Sequence, residues 1–225
     1  MGRTANTDRA QAEPVRCPWG GIADPLYARY HDEEWGVPQG DDVKLFEKMV
    51  LEGFQAGLSW LTILRKREHF REVFHGFDAE RIARFTQRDV ERLMGDVGIV
   101  RNRAKIEATI SNARAYLALA EQQEGLAAML WSIARENETP RATPAAAMSD
   151  IAAETPASRS MSKALKAAGF RFVGPTTMYA FMQSTGMVND HLASCHRHAA
   201  CAELQRKFRA PGSSAPAKRN RTSRA

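Results

Sequence analysis

The chain has 225 residues, 44% of them hydrophobic and 26% charged, enough apolar material for one cored domain with tails. It has no run of 18 or more apolar residues, so no membrane span is read, and residues 1–16 lack the apolar stretch of a secretory signal. The formal charge is +6, but seven basic residues and no acid follow Leu204, and residues 1–16 add one more positive charge, which leaves the body at −2. A high pI alone would point to nucleic acid. Here it reports a tail, which either attracts phosphates without reading sequence or is simply solvated. Three cysteines are too few for a disulfide framework, so a reducing, cytoplasmic setting is expected.

Residues 1–15 read as a disordered tail, 16–203 as a single domain and 204–225 as a basic tail, with Pro and Ser enriched from about 208 onward. Residues 17–60 hold Trp19, Trp35, Trp60, Tyr27 and Tyr30, together with Cys17 and His31. Leu45, Phe46, Met49 and Val50 mark one face of a helix, capped by Asp41 or Asp42. Trp60, Leu61, Leu64 and Phe70 predict a second helix, Asp78 caps a third before Ile82 and Phe85, and Thr86 caps a fourth. A long helix is predicted over about 101–121, another over 125–135, and a long connection over 137–157. Residues 158–168 return to helix before Gly169, and Pro175 suits the first position of a helix running through Phe181. Strand signals are nearly absent. The predicted class is all-α, without the sustained a/d repeat of a coiled-coil bundle.

Three features invite chemistry. His191 and Cys195 are spaced i, i+4, so one helix face would present both, and Cys17 with His31 would complete a closed tetrahedral zinc set. The bland alternative is small core cysteines and solvated histidines. His196, His198 and Cys201 also lie close in sequence and leave the ligand set open. Around Gly95 to Gly98 an apolar helix end meets a glycine-bearing turn, followed by Arg103 and Lys105. Such a helix–hairpin–helix offers backbone N–H groups to a DNA phosphate, with both basic residues flanking it, or it is an ordinary turn between core helices. Glu52 follows three apolar residues and precedes Gly53-Phe54-Gln55-Ala56-Gly57-Leu58-Ser59-Trp60. It is either an inward carboxylate beside aromatic faces, suited to a flat electron-poor ligand, or a solvated helix position.

Taken together the motifs resemble the DNA-3-methyladenine glycosylase I family of the helix-hairpin-helix DNA glycosylase superfamily. The stretches that carry the resemblance are Asp24-Pro25-Leu26-Tyr27, Tyr30-His31-Asp32-Glu33-Glu34-Trp35-Gly36-Val37-Pro38, and Leu51 through Trp60. Further on they are Ile110-Ser111-Asn112-Ala113-Arg114-Ala115-Tyr116, Ser162-Lys163-Ala164-Leu165-Lys166, Phe170-Arg171-Phe172-Val173-Gly174 and Val188-Asn189-Asp190-His191. The likeness covers about residues 16–198. An apparent extra glycine in Trp19-Gly20-Gly21 and the basic tail depart from the family pattern without touching its motifs.

The resemblance implies a compact helical glycosylase domain. Cys17, His31, His191 and Cys195 match the family's structural zinc ligands. Glu52 matches its base-recognising glutamate, and Tyr30 and Trp60 its main pocket aromatics, with Trp19, Trp35 and Tyr27 in the same region. Gln55, Gly57 and Leu58 resemble the turn that meets DNA at the vacated base position, and Gly95 to Gly98 the phosphate-binding hairpin. The implied activity is excision of 3-methyladenine from alkylated double-stranded DNA by a monofunctional, monomeric enzyme. The free base and an abasic site are the products, and no aspartate is assigned to assist water. The competing readings are a zinc-stabilised DNA-binding module without catalysis and a glycosylase for another methylated purine.

Overall fold

In the computed structural model, residues 13–122, 125–137 and 143–212 are described, and within them the regular structure is helical with no strand. The ten α-helices are α1 (Pro25–Glu33), α2 (Asp42–Gln55), α3 (Trp60–Val73), α4 (Ala79–Ala83), α5 (Gln87–Gly95), α6 (Arg103–Gln122), α7 (Leu126–Asn137), α8 (Pro156–Ala167), α9 (Pro175–Ser184) and α10 (His198–Lys207). Short 3-10 turns fall at His75–Phe77 and Met148–Asp150. No described helix is long and apolar enough to cross a membrane.

Local chemistry sets most of the helix starts. Asp41 accepts from Lys44 N–H, Ser59 from Thr62, Asp78 from Arg81 and Thr155 from Ser158. Asp89 reaches back to the backbone and hydroxyl of Thr86 at the start of α5. Pro175 occupies the first turn of α9, and Gly169 ends α8 with φ +93°. One start is unforeseen: Asp24 caps α1 and Pro25 opens it, although this stretch carries no apolar stripe toward the main core.

Helix α2 lies at the centre, against α3, α6, α7 and α9. It buries Leu45, Phe46, Met49, Val50, Leu51 and Phe54 in the main core, with Phe70, Phe74, Ile82, Leu93, Ile106 and Phe181 around them. Six such side chains contribute on the order of 10 kcal/mol from area alone, as an upper figure. That margin lets the same helix bury the Glu52 carboxylate near its end. A second cluster holds Cys17, Tyr30, Trp35, Leu64, Leu192 and Cys195, with Trp19, Tyr27 and Trp60 against it.

The tails read from sequence lie mostly outside the described residues, at 1–12 and 213–225. Ordered structure runs past the boundary read at 203. Helix α10 continues to Lys207, and the Phe208 ring sits 4.8 Å from Trp131. A run of basic residues looked like a solvated tail, but its leading part is anchored by that aromatic contact.

Candidate active site and metal centre

The aromatic residues of the N-terminal segment converge. Tyr27 and Tyr30 come from α1, Glu52 and Gln55 from the end of α2, and Trp60 from the start of α3. With Trp19 and Trp35 they line a cavity of about 190 Å³, completed by Met148, Ile151, Ala180 and Gln183. An apolar cavity of about 150 Å³ is known to hold benzene, so a single purine base is the scale of ligand that fits. The Tyr30 and Trp60 ring centroids are 5.5 Å apart, and Trp19 lies 5.2 Å from Tyr27 and 4.7 Å from Trp35. The Trp60 indole N–H is buried with no hydrogen-bond partner among the described residues.

Glu52 is 4% exposed. Burial pushes its carboxyl up to about 7, while Lys48 and a hydrogen bond from Ser184 oppose that rise. The pocket therefore presents a carboxyl, poised near neutrality, beside electron-rich ring faces. It can accept a hydrogen bond from a ligand amino group and attract a delocalised cation.

Behind this pocket lies the cysteine–histidine set. Cys17, His31, His191 and Cys195 are buried, and their ligand atoms all lie within 4.8 Å of one another. Cys195 Sγ is 3.5 Å from His31 Nε2 and 3.4 Å from His191 Nδ1, and Cys17 Sγ is 3.7 Å from His191 Nδ1. Zinc bonds of the usual lengths in a tetrahedron place S and N ligands about 3.3–3.8 Å apart, so these separations fit such an ion. The outward ring nitrogens are also committed. His31 Nδ1 faces Asp32 at 2.7 Å, and His191 Nε2 faces the Trp35 carbonyl at 3.0 Å. Both contacts favour a proton on the outward nitrogen and a lone pair on the inward one, which at His31 faces the Cys17 N–H at 3.3 Å.

Charge at the four groups points the same way. Burial lowers both imidazoles, His191 to about 4, so they are neutral donors. Burial pushes the Cys17 thiol up to about 12, a cost that a divalent cation beside the sulfur removes. His196 instead contacts Asp32, and Cys201 lies near Arg197 and the Trp35 carbonyl, so neither joins the set. The helix-face reading of His191 and Cys195 is corrected: both sit in the non-helical segment before α10. The i, i+4 spacing is there met by a tight loop in which Cys195 N–H donates to Leu192 C=O.

Metal set and pocket share a wall. Trp19 meets the His31 ring edge-on at 4.8 Å, and Trp35 meets His191 at 4.5 Å. A shift of either histidine moves an indole that lines the cavity.

The Gln55–Leu58 turn is closed by Leu58 N–H to Gln55 C=O at 2.7 Å and by the Gln55 amide to Leu58 C=O at 2.8 Å. Gly57 has φ +83°, where other residues are strained, and Leu58 is left 39% exposed. Lys105 differs from its expected role. It is buried, and its Nζ donates to the Phe54 and Ala56 carbonyls at 2.8 and 2.7 Å. Its ammonium caps the end of α2 and braces the turn, rather than standing free at the start of α6. Arg103 is paired with Glu91 at 2.9 Å.

At the α5–α6 connection, a Cβ on Gly98 would lie 2.1 Å from His69 Cδ2, so any larger residue there would have to push the His69 ring aside. His69 contacts Asp96 at 2.8 Å, the Gly98 N–H donates to Asp96 at 2.8 Å, and Lys66 holds the Val97 carbonyl. Helix α3 thus fixes the hairpin from below, while Val97 is 72% exposed at its tip.

A sequence model of the methyladenine glycosylase family matches residues 19–198. The chain belongs to that family. The match spans the whole aromatic pocket and three of the four metal-site residues. DNA-3-methyladenine glycosylase 1 of Escherichia coli (strain K12) is 52% identical over 180 residues, which is 80% of this chain and 95% of that one. A crystal structure of 3-methyladenine DNA glycosylase I (TAG) is 52% identical with a TM-score of 0.78, covering 82% of this chain and all of the other. A further structure, of a variant TAG in complex with 3-methyladenine, is 36% identical with a TM-score of 0.74, covering 79% and 95%.

In this family member the cavity also contains residues not singled out from sequence. Met148 and Ile151 come from the 143–155 connection, and Ala180 and Gln183 from α9. Nothing local marks them, because their place depends on how distant segments meet. Lys48 is different: it precedes Glu52 by four residues, a spacing that puts both on one helix face.

Proposed function

We propose that this methyladenine glycosylase family member is a base-excision repair enzyme that hydrolyses the N-glycosidic bond of 3-methyladenine in alkylated double-stranded DNA. The observation that carries the proposal is the purine-sized cavity in which a buried carboxyl meets five aromatic rings. A base inside a duplex must leave the stack to enter such a cavity. The Gln55–Leu58 turn, with Leu58 exposed, is the element that occupies the gap left behind. The helix–hairpin–helix at Gly95 to Gly98 is the element that meets the DNA backbone.

Methylation at N3 makes adenine cationic and a good leaving group, so no strong general acid is needed. Attraction of the cation to the Tyr30 and Trp60 faces is worth roughly 0.5–2 kcal/mol. A charge-assisted hydrogen bond from the base's amino group to Glu52 adds about 1.5–3 kcal/mol. Normal adenine is neutral, forgoes the charge terms and departs far less readily. Among the described residues no lysine lines this cavity, with Lys48 behind its Tyr30–Trp60 wall, in keeping with a monofunctional enzyme whose products are the free base and an abasic site. Cys17, His31, His191 and Cys195 would hold a structural zinc ion, and four protein ligands would leave it a stabilising role with no open position for chemistry.

Titration with free 3-methyladenine tests the pocket. Quenching of tryptophan fluorescence that saturates in the wild type and weakens in Glu52→Ala supports the reading. Equal affinity in both proteins contradicts it. Incubation of the pure enzyme with alkylated duplex should give no strand break until alkali is added, and a break without alkali refutes monofunctional action.

A further inference from the structure

Lys48 leaves α2 one turn before Glu52 on the same face. Its Nζ donates to Tyr30 Oη at 2.9 Å and lies 4.6 Å from the Tyr30 ring centroid and 4.3 Å from that of Trp60. Both rings line the base cavity, yet Lys48 itself lines a neighbouring, larger cavity of about 470 Å³. The ammonium thus stands in the partition between the two spaces, against the rings that a cationic base would meet.

The charges around it are mostly matched already. Glu34, at the end of α1, is held by Arg67 of α3 at 2.9 Å, and Glu47 of α2 by Arg71 of α3 at 2.7 Å. Burial lowers the Lys48 ammonium, while Glu52 and Glu34 oppose that loss and Arg67 adds to it. Facing Glu52 are Lys48 on its own helix, Tyr27 and Tyr30 from α1, and Ser184 from α9. Of these, Lys48 is the cation, so the carboxylate and the ammonium are the two charges left to each other.

We propose that Lys48 is a positioning residue of the excision site: its ammonium is the counter-charge that favours the ionised form of Glu52, and its contacts with Tyr30 and Trp60 set the aromatic wall. This rests on the glycosylase reading above. A pocket built to attract a cation would then be charge-balanced when Glu52 is ionised, and the substrate's positive charge is received by a carboxyl whose ionised form the ammonium favours.

The test is the pH profile of kcat/KM for 3-methyladenine release by wild type, Lys48→Met and Lys48→Arg. A pair of charges one helical turn apart in a partly buried site is coupled by about one pH unit or more. Lys48→Met should move the acid limb up by about that amount, so that activity below the wild-type midpoint falls roughly tenfold and recovers toward pH 9. Lys48→Arg should keep the wild-type limb. A merely structural lysine would lower activity by one factor at every pH, and an unmoved midpoint in Lys48→Met overturns the proposal. If that variant does not fold, Lys48→Gln must show the same displacement or the proposal fails. If the wild type releases no base, the glycosylase reading fails on its own. The Lys48 assignment is then decided by NMR titration of the Glu52 carboxyl in wild type and variant, where equal midpoints refute it.

Discussion

Glu52→Gln isolates the cost of keeping a carboxylate in an aromatic pocket. The substitution keeps shape and removes charge. The Glu52 carboxyl is raised from an ordinary 4.5 to about 7 in the fold, chiefly by burial. A group raised in this way binds its proton more tightly in the folded chain than in the unfolded one. Stability is therefore lost as pH climbs from about 4.5 to 7, and the loss is complete above 7. A shift of that size corresponds to on the order of 3 kcal/mol at full ionisation, of which about 2 kcal/mol develops between pH 5 and pH 7.5. Removing Glu52 also strands the Lys48 ammonium, which burial already lowers to about 8 and Glu52 helps to keep charged; its cost grows as pH falls, so this offset works in the same direction. The stability of Glu52→Gln relative to wild type should accordingly improve by about 2 kcal/mol between pH 5 and pH 7.5, or roughly 4–8 °C in Tm for a domain of this size. Thermal unfolding followed by circular dichroism at the two pH values, with zinc saturating, measures this directly. A Tm difference of the same size at both pH values would refute the assignment of a raised, buried carboxyl.

Three other substitutions probe the scaffold. Cys195→Ser should abolish stoichiometric zinc binding and lower Tm by roughly 5–10 °C, about 2–3 kcal/mol, measured by metal analysis and calorimetry; a metal-free variant with wild-type Tm excludes a structural ion here. Lys105→Met removes two charge-assisted hydrogen bonds to the end of α2 and should cost about 2–4 kcal/mol in urea unfolding while weakening DNA binding. A loss under about 0.5 kcal/mol would mean that the ammonium does not brace the turn. Gly98→Ala forces the His69 ring off Asp96 and should cost about 1–2 kcal/mol, with full wild-type stability contradicting the close approach.

Much of this protein is legible where chemistry is local. Caps at Asp41, Asp78 and Thr86 and the first-turn proline of α9 are written in adjacent residues, and those helices follow, while α8 starts two residues before the predicted 158, capped by Thr155. Helix α1 carries the same kind of signal in Asp24-Pro25, but its rings face a pocket and leave no apolar periodicity to read. The i, i+4 spacing of His191 and Cys195 suggested a helix because sequence spacing alone does not separate a helical turn from a tight loop. Lys105 reads as a surface cation on a basic helix start. Only the proximity of the α2 carbonyls, fifty residues earlier in sequence, turns it inward. The candidate ligand set is narrowed by space: His196 and Cys201 are near in sequence, yet their side chains meet Asp32 and Arg197 instead.

The central claim is that the Glu52 pocket excises 3-methyladenine from duplex DNA. Chromatography of the bases released when the pure, full-length protein is incubated with methylated double-stranded DNA tests it most directly. The account predicts release of 3-methyladenine with little 7-methylguanine, strongly reduced in Glu52→Ala. A DNA-bound protein that releases no base at all would contradict it and leave a zinc-stabilised binding module in its place.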